Sequence, residues 1–417
     1  MVSDGKGNIF DIPSMEAAGM KGGGFFRLVM KEMIKLPYGS ELFMLPGRRP
    51  VGYDSGSKTF SVIEKFFPIA AFVSPGHTTT YNAAYAEDSK VEKLPLFSYG
   101  AVMSYKGGFY TAAIKVDREL RQDLRFMDME KVRKNIKRFR RIFPHNRLIR
   151  HLEGCALVNS CPAAKNLFLQ RYEAPLPTSP YCNARCLGCI SHQPQGTCSI
   201  TQPRIKFVPS PQEIAETALF HIKEVRDPVV SFGQGCEGEP LLVSDVILES
   251  IKLIRRETSK GIININTNAS RPRAIGRLFD AGLDSIRVSM NSVQSCFYTT
   301  YYKCVDYGFK DVLSSIETAK RSNGFVSLNY LVMPGFTDSK YEFNALRSFI
   351  DRYKIDMIQW RNLNYDPVSY FKELHMKVRS SQMFGISQVI CSIKRSYPGL
   401  LTGYFNPSRA RMKRFKV

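Results

Sequence analysis

The chain has 417 residues, 44% of them hydrophobic and 23% charged, with a formal net charge of +22. That length calls for two or three globular units with a full apolar core, and no apolar run is long enough to cross a bilayer. Ten cysteines without an opening secretory signal predict thiols that are reduced, buried or metal-bound rather than paired, in a cytoplasmic protein.

Residues 1–175 read as an α+β unit. It is β-rich over 41–117 and basic and helical over 118–164. Phe66–Val73 is a predicted strand, and Leu94–Tyr105 with Phe109–Val116 predict a hairpin across the turn Lys106–Gly108. The run from Arg133 to Arg150 and the end of the chain from Arg409 concentrate the positive charge. Such patches attract RNA, DNA or acidic partners, but no aromatic base-stacking pattern accompanies them, so a solvated helix face and a basic tail are the favoured reading. Leu176-Pro-Thr-Ser-Pro180 breaks the pattern and opens a second unit, 176–366. Residues 367–417 read as a helical extension with a basic tail.

Directly after the break comes Tyr-Cys-Asn-Ala-Arg-Cys-Leu-Gly-Cys, which places Cys182, Cys186 and Cys189 in a C-x3-C-x2-C triplet. Three thiolates on one short loop suit a [4Fe–4S] cluster that keeps one iron free for another ligand. Zinc is the alternative, with His192 or Cys198 closing a tetrahedron.

Strands and helices alternate from there on. Ser210-Pro-Gln-Glu213 is a capping box opening a helix to about Val225. Strands are expected at Val229–Gly233, Ile262–Thr267, Ser285–Met290, Val326–Met333 and Asp356–Asn362. Between and after them, helices are expected at Leu241–Thr258, Pro272–Ala281, Phe309–Arg321 and Ser339–Tyr353. This order predicts βαβ units around a parallel sheet. The strands also alternate. Asn264 and Asn266 share one face while Ile263 and Ile265 share the other. Ser285, Arg287 and Ser289 repeat the split, as do Gln359 and Arg361. A parallel sheet covered on both faces reads as continuous apolar runs. Period-two alternation therefore predicts a barrel with a polar lumen, and so many lumen amides imply a ligand. Ser231 to Pro240 also contains Gly233-x-Gly235-x-x-Gly238 between a strand and a helix. A dinucleotide site would need an acid at the end of the next strand, where Thr267-Asn268 stands instead.

The triplet, Gly238-Glu239-Pro240 after the second strand, the Asn-Thr-Asn strand end, Arg287-Val-Ser-Met-Asn291 and Val332-Met-Pro-Gly-Phe-Thr-Asp338 together resemble the radical S-adenosylmethionine superfamily over roughly Tyr181 to Asp366. The resemblance implies a partial (β/α)6 barrel of the TIM type. It also implies a [4Fe–4S] cluster on Cys182, Cys186 and Cys189, with S-adenosylmethionine chelated to its free iron. One electron then cleaves the sulfonium, and the resulting 5′-deoxyadenosyl radical takes a hydrogen atom from a substrate. Gly235, Glu237, Gly238, Glu239, Pro240, Asn266, Asn268, Arg287, Ser289 and Asn291 are the implied cofactor contacts. An oxygen-sensitive enzyme of this kind also needs an electron donor such as flavodoxin or ferredoxin. Two positions depart from the family pattern. Glu237 replaces the first glycine of a Gly-Gly-Glu-Pro loop, and Gly188 replaces an aromatic before the third cysteine.

Two further residues are candidates for the chemistry on substrate: Cys236, as a relay thiol in the cofactor loop, and Arg361, a lumen cation suited to a carboxylate or phosphate. Cys155, Cys161 and Cys198, with Cys236, are weighed as ligands of an auxiliary cluster, without a C-x2-C pair to support it. Asn362, Asn364 and Asp366 stand at the expected barrel mouth. Two other function classes remain: a non-catalytic iron–sulfur electron-transfer protein and a zinc-containing nucleic-acid-binding protein.

Overall fold

The computed structural model describes residues 1–87, 91–194 and 198–413; the last four residues of the basic tail lie outside them. At its centre is a curled half-barrel of seven parallel strands in chain order. They are Glu173–Pro175, Val229–Phe232, Ile262–Thr267, Ser285–Met290, Phe325–Val332, Met357–Asn362 and Leu401–Gly403. Five of them match the predicted strands to within one or two residues. The first and seventh were not foreseen, because Glu-Ala-Pro and Leu-Thr-Gly are too short to show an alternation. Pro175 is tolerated because its strand lies at the sheet edge.

The predicted split of the faces holds. Ile263, Ile265, Ile286, Val288, Val326 and Trp360 turn outward into the main core beneath the helices. Asn264 lies level with Ser231 and Ser285, Asn266 with Arg287, and Asn329 with Ser289 and Gln359, all on the lumen face. Below this polar layer the lumen is closed by Val229, Ile262, Phe325, Met357 and Leu401. Met412, from the short helix Arg409–Lys413, packs against the same layer. The 367–417 segment thus supplies a strand and a plug to the barrel, besides the helices Pro367–Glu373 and Ile386–Ser396.

Most helices start within a residue of their predicted positions; the one expected from Leu241 begins at Ser244 after a 3-10 turn, and Ser295–Tyr302 was not foreseen. Ser210 accepts from the Glu213 N–H while the Glu213 carboxylate accepts from Ser210 N–H, and Pro211 occupies the first position of the helix Pro211–Glu224. The basic segment forms α1, Met129–Ile142, α2, Arg147–Leu157, and α3, Pro162–Phe168. Helix α1 buries Val132, Ile136 and Phe139 and leaves Arg133, Lys134, Lys137 and Arg138 exposed. That is the amphipathic surface helix expected of a solvated charge run.

The N-terminal unit is a set of antiparallel strands. Gly100–Tyr105 and Gly108–Thr111 form the predicted hairpin, turning on Lys106 and Gly107 at positive φ. Residues 94–99, expected to extend it, form no strand; Pro95 lacks the N–H that a ladder needs. This unit sits at the ends of the barrel strands. Thr78 Oγ1 donates to Trp360 O at 2.7 Å, and the Asn362 side chain accepts from Thr79 N–H at 2.9 Å and donates to His77 O at 3.1 Å. Asp366 receives buried Arg48 at 3.2 Å and the Tyr85 hydroxyl at 3.1 Å. Asn362 and Asp366 are therefore docking residues of the barrel mouth. No helix among the described residues is long and apolar enough to cross a membrane.

Candidate active site

The loops that follow the first and second barrel strands meet at the mouth. Gly238 N–H donates to Ser179 O and Glu239 N–H to Tyr181 O, both at 2.7 Å, so the Gly-Glu-Pro loop runs alongside the chain entering the cysteine triplet. A Cβ on Gly238 would stand 1.9 Å from Tyr181 O, so only glycine allows this approach. Gly233, at φ +77°, is constrained likewise: a Cβ there would stand 1.7 Å from Asn266 O.

The two glutamates of this loop are buried and bonded inward. Glu237 accepts from Thr178 N–H at 2.8 Å, Thr178 Oγ1 at 3.1 Å, Ser179 N–H at 3.0 Å and Gln234 N–H at 2.6 Å. The residue that departs from the family pattern thus ties the cofactor loop to the segment before the cysteines. Glu239 accepts from Leu241 N–H at 3.0 Å, Asn268 N–H at 2.8 Å and the Thr267 hydroxyl. Burial pushes its carboxyl up to about 7, against the pull of those donors.

The cysteine loop is braced from the other side. Arg185 and Leu187 N–H donate to Tyr302 O and Tyr301 O, at the end of the helix Ser295–Tyr302. Asn183 accepts from Asn268 Nδ2 at 2.8 Å and donates to Asp306 at 2.9 Å. Ser191 Oγ lies 3.6 Å and Arg204 Nη2 3.7 Å from Cys189 Sγ. Asn183, Ser191 and Arg204 were not singled out in the sequence; they are ordinary polar residues whose role comes only from the loop's path.

Burial raises the Cys182 thiol to about 11 and the Cys186 thiol well above its ordinary value. Thiolates there form as a metal takes up their charge. Thiolates around one tetrahedral zinc stand about 3.8 Å apart, given Zn–S bonds of about 2.3 Å. Among the described residues, the one trio of His, Cys, Asp or Glu ligand atoms within 4.8 Å of one another is elsewhere. The three sulfurs of the triplet therefore do not all lie within 4.8 Å of one another. That spacing suits a cluster, in which each cysteine has its own iron.

Gly188, in place of the family's aromatic, has no room for a side chain. A Cβ would stand 2.9 Å from both Asn364 O and the Tyr301 hydroxyl, and 3.6 Å from Tyr365 Cβ. A cavity of about 260 Å³ opens beside this point, bordered by Cys186, Leu187, Leu94, Leu96 and Tyr365.

Deeper in the lumen a polar network crosses the sheet. Asn264 donates to Ser231 Oγ at 3.3 Å and to Asn266 Oδ1 at 2.8 Å, and Asn266 donates to Gly233 O at 2.9 Å. Asn406, from the C-terminal segment, donates to Glu173 at 2.7 Å and accepts from Gln359 at 2.9 Å. Gln359 in turn accepts from Arg287 at 3.2 Å. Arg361 donates to Tyr404 O at 3.0 Å and lies 4.1 Å from the centre of the Tyr404 ring. Burial, reinforced by the Arg361 charge, lowers Arg287 to about 9. Arg287 Nε and Asn329 Oδ1 are buried without a protein partner. Ser289 accepts from Asn329 Nδ2 at 3.5 Å, whereas Asn291 is turned out of the lumen to Phe297 O and the Tyr370 hydroxyl. Gly235 packs against Gln202, and the buried Cys236 sulfur lies beside Cys155 and His151.

Residues 176–344 match the family model of the radical SAM superfamily. They form a radical SAM domain. Radical SAM enzymes bind a [4Fe–4S] cluster and S-adenosylmethionine and cleave the latter by radical chemistry. No curated protein sequence matches the chain. Among solved structures it is similar to anSMEcpe with bound AdoMet, at 14% identity and a TM-score of 0.37, covering 49% of this chain and 58% of that one. The chain thus spans less than two thirds of that relative. It is also similar to methylornithine synthase (15%, TM-score 0.41, 65% and 78%). The HydG maturase of Carboxydothermus hydrogenoformans is a third (13%, TM-score 0.41, 69% and 71%).

Proposed function

We propose that the chain is a radical SAM enzyme that abstracts hydrogen from an anionic substrate held in the barrel lumen. The observation that carries this is the interlock at the mouth: the cysteine triplet and the Gly238-Glu239-Pro240 loop lie against each other above a polar lumen in which the Arg287 Nε–H is buried without a partner. Cys182, Cys186 and Cys189 would hold the cluster, and the backbone of Gly235 to Pro240, with Asn266, Asn268 and Ser289, would line the S-adenosylmethionine site. When bound, the pair supplies a 5′-deoxyadenosyl radical that takes a hydrogen atom from the substrate. Tyr365, which fills the space beside Gly188, stands in for the family's aromatic. Arg204, 3.7 Å from the Cys189 sulfur, would place a positive charge beside the cluster and favour its reduced form.

Besides burial, the Arg361 charge pushes the Arg287 guanidinium down and the Glu173 charge pushes it up, so the three groups act on one another in the lumen. An arginine keeps its charge at neutral pH, so two of them on the lumen face of the sheet favour an anion beside them. A carboxylate or phosphate on the substrate fits that need. The exposed cations of α1 are the surface suited to an acidic electron donor such as flavodoxin or ferredoxin, or to another anionic macromolecule. The test is anaerobic reconstitution with iron and sulfide, then dithionite and S-adenosylmethionine. 5′-Deoxyadenosine should form with native protein and not with the C182A/C186A/C189A variant. Equal yields from both, or none from a brown native protein, would overturn the reading.

A further inference from the structure

A second group of metal-ligating side chains lies outside the lumen. His151 and Cys155 are one helical turn apart on α2 and share a face. Their ligand atoms, Nε2 and Sγ, are 3.5 Å apart. Cys236 comes from the cofactor loop, immediately before Glu237, and places its sulfur against them. All three ligand atoms lie within 4.8 Å of one another, with Cys155 and Cys236 each 3% exposed. Cys161 stands next to them. Its N–H donates to Cys155 O at 3.0 Å, while its sulfur stands outside the 4.8 Å grouping of the other three ligand atoms.

We propose that His151, Cys155 and Cys236 form a structural zinc site that fastens α2 to the cofactor loop, with the neighbouring Cys161 closing the tetrahedron when the ion binds. Three thiolates and an imidazole are a known closed tetrahedral set for this ion. The gathering of three ligand atoms about one point fits a single ion. Binding Zn²⁺ releases the three thiol protons and leaves every oxidation state unchanged. The placement also gives the ion a task. Cys236 O accepts from Ile205 N–H at 2.8 Å, so the loop is held from the cluster side by Ile205 and from the outside by the metal. Cys236 is then a ligand rather than a relay thiol.

The test is metal analysis of the full-length protein purified without oxygen and without chelators. We expect about one zinc per chain, beside the cluster iron, in native protein and in C182A/C186A/C189A. H151A/C155A should bind zinc about tenfold more weakly or worse. H151C, which keeps a ligand, should retain it. Cobalt substituted for zinc should show thiolate charge-transfer absorption that H151A/C155A lacks. The triplet variant separates this proposal from the cluster assignment, since it removes the cluster and leaves the zinc. Four results would each overturn the proposal. They are no zinc in a soluble, folded native protein even after zinc is added, equal zinc in native and H151A/C155A proteins, extra iron at these residues instead of zinc, or a Cys155–Cys236 disulfide in the anaerobic protein.

Discussion

Gly238 and Arg361 show how single positions govern the site by different means. At Gly238 the backbone of two loops meets with no space for one carbon, so G238A must separate the Gly-Glu-Pro loop from Tyr181. We expect G238A to keep its iron and overall fold but to bind S-adenosylmethionine at least about tenfold more weakly, a strain of roughly 1.4 kcal/mol or more. Titrating the cofactor against the cluster's electron paramagnetic resonance signal checks this. Arg361 acts by charge instead. R361A should lower substrate turnover far more than it lowers uncoupled formation of 5′-deoxyadenosine. Equal loss of both would assign Arg361 to the cofactor, and loss of neither would leave it the packing role seen against Tyr404.

At the scale of elements, the helix Pro211–Glu224 is pinned to the chain before the first barrel strand by a buried histidine. His221 is fully buried, with Nε2 3.3 Å from Tyr172 O and Nδ1 without a partner. Burial lowers its pKa to about 4, from an ordinary 6.5. The unfolded chain therefore binds more protons than the folded one between those values. The stabilisation is complete above pH 6.5 and is lost as the pH falls towards 4. Its span is about 3 kcal/mol. H221L should remove that part of the slope, which melting curves of the native and variant proteins between pH 7 and pH 4.5 will show. An unchanged slope would mean that the ring is hydrated when folded. The short strands Glu173–Pro175 and Leu401–Gly403 illustrate the opposite dependence. Nothing in their sequences favours a strand, and they form because a neighbouring strand offers a ladder.

Across the whole molecule, the N-terminal strands and the C-terminal segment close the barrel from its two ends. At the mouth, the Arg48 and Asp366 side chains are only 2% and 6% exposed. Removing one partner of a buried pair leaves the other charge without compensation, at a cost of about 3–5 kcal/mol. R48M should therefore lower the melting temperature sharply, and R48M/D366N should recover part of the loss. A double variant no better than the single one would show that the pair is not coupled. At the base, M412A should cost about 2 kcal/mol or more by opening a cavity under the polar layer, readable by denaturant unfolding.

The strand alternation and the Ser210–Glu213 capping box determined the outward and lumen faces and one helix start by themselves, and the cysteine spacing pointed to the loop proposed to hold the cluster. Each is a local pattern with a local physical cause: ligand reach, the two-residue pleat, and the unpaired N–H groups of a helix end. Tertiary structure alone decided the roles of Glu237, Gly188, Asp366, Asn406 and Met412. Asn406 joins the lumen 175 residues after Ser231, and Arg48 meets Asp366 across 318 residues. A buried carboxylate or amide is placed by whichever donors the folded chain brings to it. Those donors come from segments with no regular spacing in sequence, so their pairing is settled by packing and by the cost of leaving a buried polar group unpaired.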